Sequence, residues 1–235
     1  MMEKKQRIQS IDALRGLAVV LMVIHHFLYD LCAFLGAPWW LFSNPVFDFL
    51  HYIFAGVFIV LSGVSSRFSR SNIKRGVIVL IVAMVITLVT WFMDMPIRFG
   101  VLHLLGVCMV FYGITHKLWE SIPAKLMPVL CVLLLIISAL AVKYISIDSE
   151  HLWMFGWYTD NFYSSDYFPI FPWIFVFLFG TWAGKYIREG RLPEKFYTFT
   201  VPLLPQIGRK ALIIYIVHQP VLYGITLLLM HVFSR

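Results

Sequence analysis

Four places in this 235-residue chain set ionisable side chains in or at the ends of apolar runs, where each is costly unless it pairs or faces water. In the first run His26 and Asp30 stand four apart, on one helical face. A carboxylate beside an imidazole fixes its tautomer and steadies its protonated form, which makes a positioned general base; the alternative is a hydrogen-bonded pair at the membrane interface. Asp12 and Arg15, three apart in the same run, read first as an ion pair fastening the helix start to a neighbour. His25 is turned about 100° from His26 at about 3.6 residues per turn, so one site is not expected to use both. His103 closes the segment DMPIRFGVLH and reads as a satisfied buried histidine or as a second acid/base. His218 precedes Pro220 in IVHQPVLYG. Either His218 and Gln219 satisfy the backbone that the proline disrupts, or His218 lines a reaction site. Asp48 and His51, three apart near the start of the second run, read as snorkelling interfacial residues.

Positioning such groups takes elements of a particular kind. Hydrophobic residues make up 60% of the chain and charged ones 13%, too few solvated groups to cover a water-soluble globule. Lipid must form part of the solvent. A hydrocarbon core about 30 Å thick takes about 20 apolar residues per helix, and runs of that kind recur at 11–31, 46–66, 73–93, 100–116, 126–146, 168–187 and 211–231. They are continuous and rich in Leu, Val, Ile and Phe, unlike the short alternating segments of a barrel. The expectation is an all-α, polytopic transmembrane helical bundle of about seven spans, forming a single domain over 1–235. The first run is too long for a signal-peptide core and carries His25, His26 and Asp30 with no small-residue cleavage site behind them. At about 1.5 Å per residue, His26 stands about 22 Å from the inner end of its helix, in the same outer half of the bilayer as His103.

Lysine and arginine accumulate on the cytoplasmic side of membrane proteins. With the N-terminus inside, Lys4, Lys5 and Arg7 lead the inner set, and only Arg98, Lys143 and Arg235 of the 19 fall outside. A cytoplasmic N-terminus in the cell membrane is therefore expected, and the net charge of +7 needs no nucleic-acid partner. The basic inner rim would attract anionic lipid headgroups or a phosphate-bearing ligand. The longest outer loop, 147–167, sets Asp148, Glu150, Asp160 and Asp166 among Trp153, Trp157, Tyr158, Phe162, Tyr163 and Tyr167. These aromatics read as an interfacial belt or as an acceptor-binding loop, since aromatic faces and carboxylates suit sugar stacking and hydrogen bonding. Cys32, Cys108 and Cys131 are expected as buried free thiols. No Cys/His pattern has zinc spacing, no glycine-rich phosphate loop opens a helix and no internal repeat is visible, so no metal is expected.

The opening RIQSIDALRGLAVVLMVIHHFLYDL resembles the first span of the heparan-alpha-glucosaminide N-acetyltransferase catalytic family, its small bacterial members in particular. VFIVLSGVSSRFSR, RFGVLHLLG, YFPIFPWIFVFLFG and IGRKALIIYIVHQPVLYG fit the same members, and the resemblance covers essentially the whole chain. More distantly, the spacing of Arg15, Gly16 and His26 is similar to that in membrane enzymes that O-acetylate surface polysaccharides. The resemblance implies acetyl transfer across the membrane, from cytoplasmic acetyl-CoA to an amine or hydroxyl of a sugar or glycan on the other face. Under it, Arg15, Arg67, Arg70, Arg75 and Arg209 are the expected holders of CoA. His26 oriented by Asp30 is the expected base, with His103 or His218 as further catalytic groups, and Arg98, Trp153, Trp157 and Asp160 are the expected acceptor contacts. Lysosomal members carry a reactive histidine in a His-x-x-Trp stretch that aligns near 36–39, where this chain has Gly36 and Trp39 and no histidine. That role passes to His26, His103 or His218, or the chain does different chemistry on the same scaffold. A transporter or flippase with an intramembrane His/Asp relay is the alternative, and against it stands the lack of repeated halves or matching broken helices. Exposed helix faces leave room for a homo-oligomer.

Overall fold

The computed structural model describes residues 8–199 and 201–233; Lys4, Lys5, Arg7 and Arg235, counted above for orientation, lie outside them. Among the described residues the elements are helical: α1 (Gln9–Leu35), α2 (Pro45–Ser66), α3 (Asn72–Phe92), α4 (Val101–Ser121), α5 (Met127–Tyr144), α6 (Ile170–Arg188), α7 (Glu194–Thr198), α8 (Leu204–Arg209) and α9 (Ala211–Phe233), with 3₁₀ turns at Trp39–Leu41 and Trp153–Phe155. All but α7 and α8 are long and apolar enough to cross a membrane, which gives the seven spans expected.

Two helices end later than the apolar runs suggest. Past Leu31, the residues Cys32 to Leu35 offer nothing that stops α1, and the helix closes only at Gly36, left-handed at φ 70°, where the Ala37 amide donates to the Leu31 carbonyl at 3.1 Å. α4 continues beyond His116 because its polar last turn is anchored: Trp119 Nε1 donates to the Thr115 hydroxyl at 2.9 Å, and Glu120 pairs with Arg67.

The outward faces are apolar. α3 exposes Val77, Ile81, Met84, Val85 and Leu88, and α5 exposes Val129, Val132, Leu133, Ile136 and Leu140, each a stripe at helical spacing that suits hydrocarbon and not water. Cys32, Cys108 and Cys131 are buried free thiols, as expected.

The chain divides into two compact units. One comprises the described residues of Met1–Phe58 and Leu192–Arg235. Its spine is α1, against which α8 and α9 pack. α8 approaches so closely that a Cβ on Gly16 would overlap the Leu204 carbonyl, and one on Gly208 the Asp12 carbonyl. The other unit, Ile59–Arg191, is built around α4, whose Leu102, His103, Leu104, Leu105, Cys108 and Tyr112 are buried. α3 crosses α4 at Gly76 and Gly106, and α6 lies against the second half of α2, where Gly180 meets the Val60 carbonyl.

Candidate active site

In the first unit three helices bring four imidazoles into line. The ring of His26 on α1 lies 4.9 Å from that of His218 on α9 and 5.7 Å from that of His25. His25 in turn lies 4.4 Å from His51 on α2 and 4.8 Å from Phe42. His25 meets His51, a partner that no spacing within α1 could show.

The bond expected between His26 and Asp30 is not made. Both side chains face α9, and each meets its own residue there. Asp30, fully buried, accepts from Gln219 Nε2 at 3.0 Å through Oδ1, while its Oδ2 has no hydrogen-bond partner. His26 meets His218, and neither His26 nitrogen bonds to a described residue. His218 Nδ1 lies 2.7 Å from the Tyr215 carbonyl. A carbonyl only accepts, so Nδ1 carries the hydrogen and the neutral ring presents a lone pair at Nε2, which is buried without a partner. His218 and Gln219 therefore bond Tyr215 and Asp30, leaving the Ile216 carbonyl, which loses its i+4 amide at Pro220, unserved by either.

His103, in the second unit, is differently placed. Its Nδ1 accepts from the Gly100 amide at 3.2 Å, so Nε2 carries the hydrogen and donates to Thr87 Oγ1 at 3.1 Å; that hydroxyl donates onward to the Ile97 carbonyl. Both ring nitrogens are committed, which is the satisfied buried histidine of the two readings. Thr87, an unremarked residue in an apolar run, completes the network.

The turn that His103 holds is fastened on all sides. Thr90 Oγ1 accepts from the Ile97 amide at 3.1 Å, Ser164 Oγ from the Arg98 amide at 3.0 Å, and Asp166 Oδ2 from the Val101 amide at 3.2 Å. The Arg98 guanidinium lies over Trp91 at 5.9 Å and Phe162 at 5.5 Å. Trp153 stacks on Phe162 with centroids 5.9 Å apart. Trp157 instead donates to the Ile145 carbonyl at the end of α5, at 2.8 Å, and Asp160 is exposed. The Tyr167 hydroxyl donates to the Trp153 carbonyl, and burial pushes its phenol above the usual range, so it stays a donor. The loop is thus a packed aromatic layer.

The cations fall into two sets. In the first unit Asp12 takes Arg15 at 2.8 Å and Arg209 Nε at 3.5 Å, so the pair expected to fasten the helix start does so through α8. In the second, Arg67 pairs with Glu120, donates to the Thr181 carbonyl at 2.9 Å and lies over Tyr112. Arg75 reaches the Ser65 carbonyl at 3.4 Å, and Arg70 is exposed. No group of three or more His, Cys, Asp or Glu placed to hold a metal ion occurs among the described residues.

The family model described as heparan-alpha-glucosaminide N-acetyltransferase, catalytic, matches residues 7–220, most of the chain. The chain belongs to that family. No curated protein and no solved structure matches it. Membership of the heparan-alpha-glucosaminide N-acetyltransferase catalytic family implies a transmembrane acetyltransferase in general terms. The departure at Gly36 gains a physical meaning here: that residue is the left-handed cap of α1, a conformation that costs a side-chain-bearing residue about 1 to 2 kcal/mol. A histidine at that position would strain the cap.

Proposed function

We propose that this protein moves an acetyl group from cytoplasmic acetyl-CoA to an amine or hydroxyl of a sugar or glycan at the outer side of the cell membrane, with its N-terminus in the cytoplasm. The observation that carries the reading is the His26–His218 pair, two facing imidazoles with an unbonded lone pair at His218 Nε2. One ring removes the proton of the attacking group, and the other receives it or holds its partner in place, a contribution of about 10²- to 10⁴-fold. Asp30 acts at one remove, through Gln219 beside His218.

Arg15 and Arg209, which meet at the Asp12 carboxylate, are assigned to a phosphate of CoA, a group that guanidinium N–H donors suit. In the second unit, Arg70 and Arg75 at the start of α3 are separately assigned as candidate CoA contacts. Arg67, already engaged by Glu120 and Thr181, supports that rim. Arg98, Trp153 and Asp160 are assigned to the acceptor, with Trp157 and His103 holding the elements that carry them.

The purified full chain should be stabilised by acetyl-CoA through mass action, and Arg70→Glu or Arg209→Glu should weaken that shift. His26→Ala should lower CoA release with an amino-sugar acceptor by about 100-fold or more while leaving the shift intact. Transfer within a few-fold of wild type in folded His26→Ala protein would refute the assignment. The row of imidazoles also suits a proton-coupled transporter; counterflow of an unmodified solute without CoA would favour that reading.

A further inference from the structure

Two members of the imidazole row have no role in the reaction as described. His25 and His51 extend the line from His26 towards the Pro45 end of α2, where His51 stands about 9 Å in from the helix start at about 1.5 Å per residue. Exposed Asp48 lies three residues before it on the same helix. Each imidazole takes a proton at one nitrogen and releases one from the other, and the centroids of successive rings stand 4.4, 5.7 and 4.9 Å apart, close enough for a bridging water to pass the proton between them. Among the described residues, titratable side chains beside the row also include Tyr29 and Asp30 from α1, Tyr52 from α2 and Tyr215 from α9.

Proton balance decides which acceptor needs such a row. With a hydroxyl, the O–H proton goes to the base, the carbonyl carbon bonds the oxygen, the C–S bond breaks, and the thiolate recovers that proton. Alcohol and thioester become ester and thiol, and no proton is left over. An aliphatic amine is mostly ammonium near neutral pH. It must lose one proton to free its lone pair and a second as the amide forms; the departing thiolate takes only one of the two. One proton per turnover must then leave the site.

From this we infer that, with an amine as acceptor, His25 and His51 are proton-relay residues that carry the surplus proton from the His26–His218 pair towards the Asp48 end of α2. The inference rests on the acetyl-transfer reading.

The test compares wild type, His25→Gln and His51→Gln full-length protein, with glucosamine and with glucose as acceptors, in weakly buffered solution with and without imidazole. Glucosamine reports on the relay, and glucose is the control that releases no surplus proton. Each variant should lose about tenfold or more in kcat with KM and the acetyl-CoA thermal shift unchanged, and added imidazole should restore the rate by carrying the proton itself. Rings that merely pack would leave either no loss or a loss that imidazole does not repair, and either result overturns the relay. A wild type that acetylates glucose and not glucosamine overturns the relay, since no surplus proton then arises, while leaving acetyl transfer standing. CoA release with neither acceptor overturns both.

Discussion

His218 can be taken apart atom by atom. Asparagine places its amide near the position of Nδ1, so His218→Asn should keep the bond to the Tyr215 carbonyl and fold normally while losing the lone pair at Nε2. Its melting temperature should stay near wild type as kcat falls about 100-fold or more. A folded variant that keeps the wild-type kcat would show that His218 contributes its bond to Tyr215 and not its Nε2 lone pair. His103 should behave in the opposite way. Replacing it by Leu leaves the Gly100 amide and Thr87 without their partner, at about 1 to 3 kcal/mol. Thr87→Val should cost similarly, and the double variant less than the sum, because both act in one network. Denaturation of the three proteins checks this, and kcat of whatever remains folded should be unaltered. The sequence marks His26, His103 and His218 as chemically active types in apolar runs, but not which have free nitrogens. That depends on acceptors from other segments, Tyr215 and Thr87 among them, which carry no signal of their own.

Among the elements, the seven long helices are legible because a run of about 20 apolar residues has few other uses. α8 is not: six residues with a proline in the first turn show no period, and its place is set by two glycines far apart in the chain. Gly16 and Gly208 let α8 lie backbone to backbone on α1, which holds Arg209 beside Asp12. Gly208→Ala should push α8 off, costing about 1 to 3 kcal/mol and weakening the acetyl-CoA thermal shift along with it. A Gly208→Ala protein that kept its full shift would remove Arg209 from the ligand site.

At the scale of the molecule, orientation is a matter of charge distribution and is open to direct labelling. The three native thiols are buried, so the wild type should react slowly with a membrane-impermeant maleimide. Glu150 and Lys125 are both exposed. In intact cells Glu150→Cys should label at once and Lys125→Cys only after permeabilisation; the reverse pattern would invert the topology and with it the side on which CoA and acceptor meet the protein. The grouping of the chain into two units is the part least visible beforehand, since one of their two boundaries falls inside α2, between Phe58 and Ile59, where the apolar run continues unbroken.

The turn from Ile97 to Val101 has one more consequence. Four of its five amides donate to side chains of Thr90, Ser164, His103 and Asp166, so a stretch outside any long helix until its last residue is protected much as a helix interior is. In deuterated buffer those amides should exchange slowly, opening only when the surrounding unit opens, while exposed residues near 148–151 exchange quickly. Under the proposed acceptor role, the Arg98 platform is a fixed template and not a lid: the acceptor would fit the shape already there, with no delay for loop closure in its association rate.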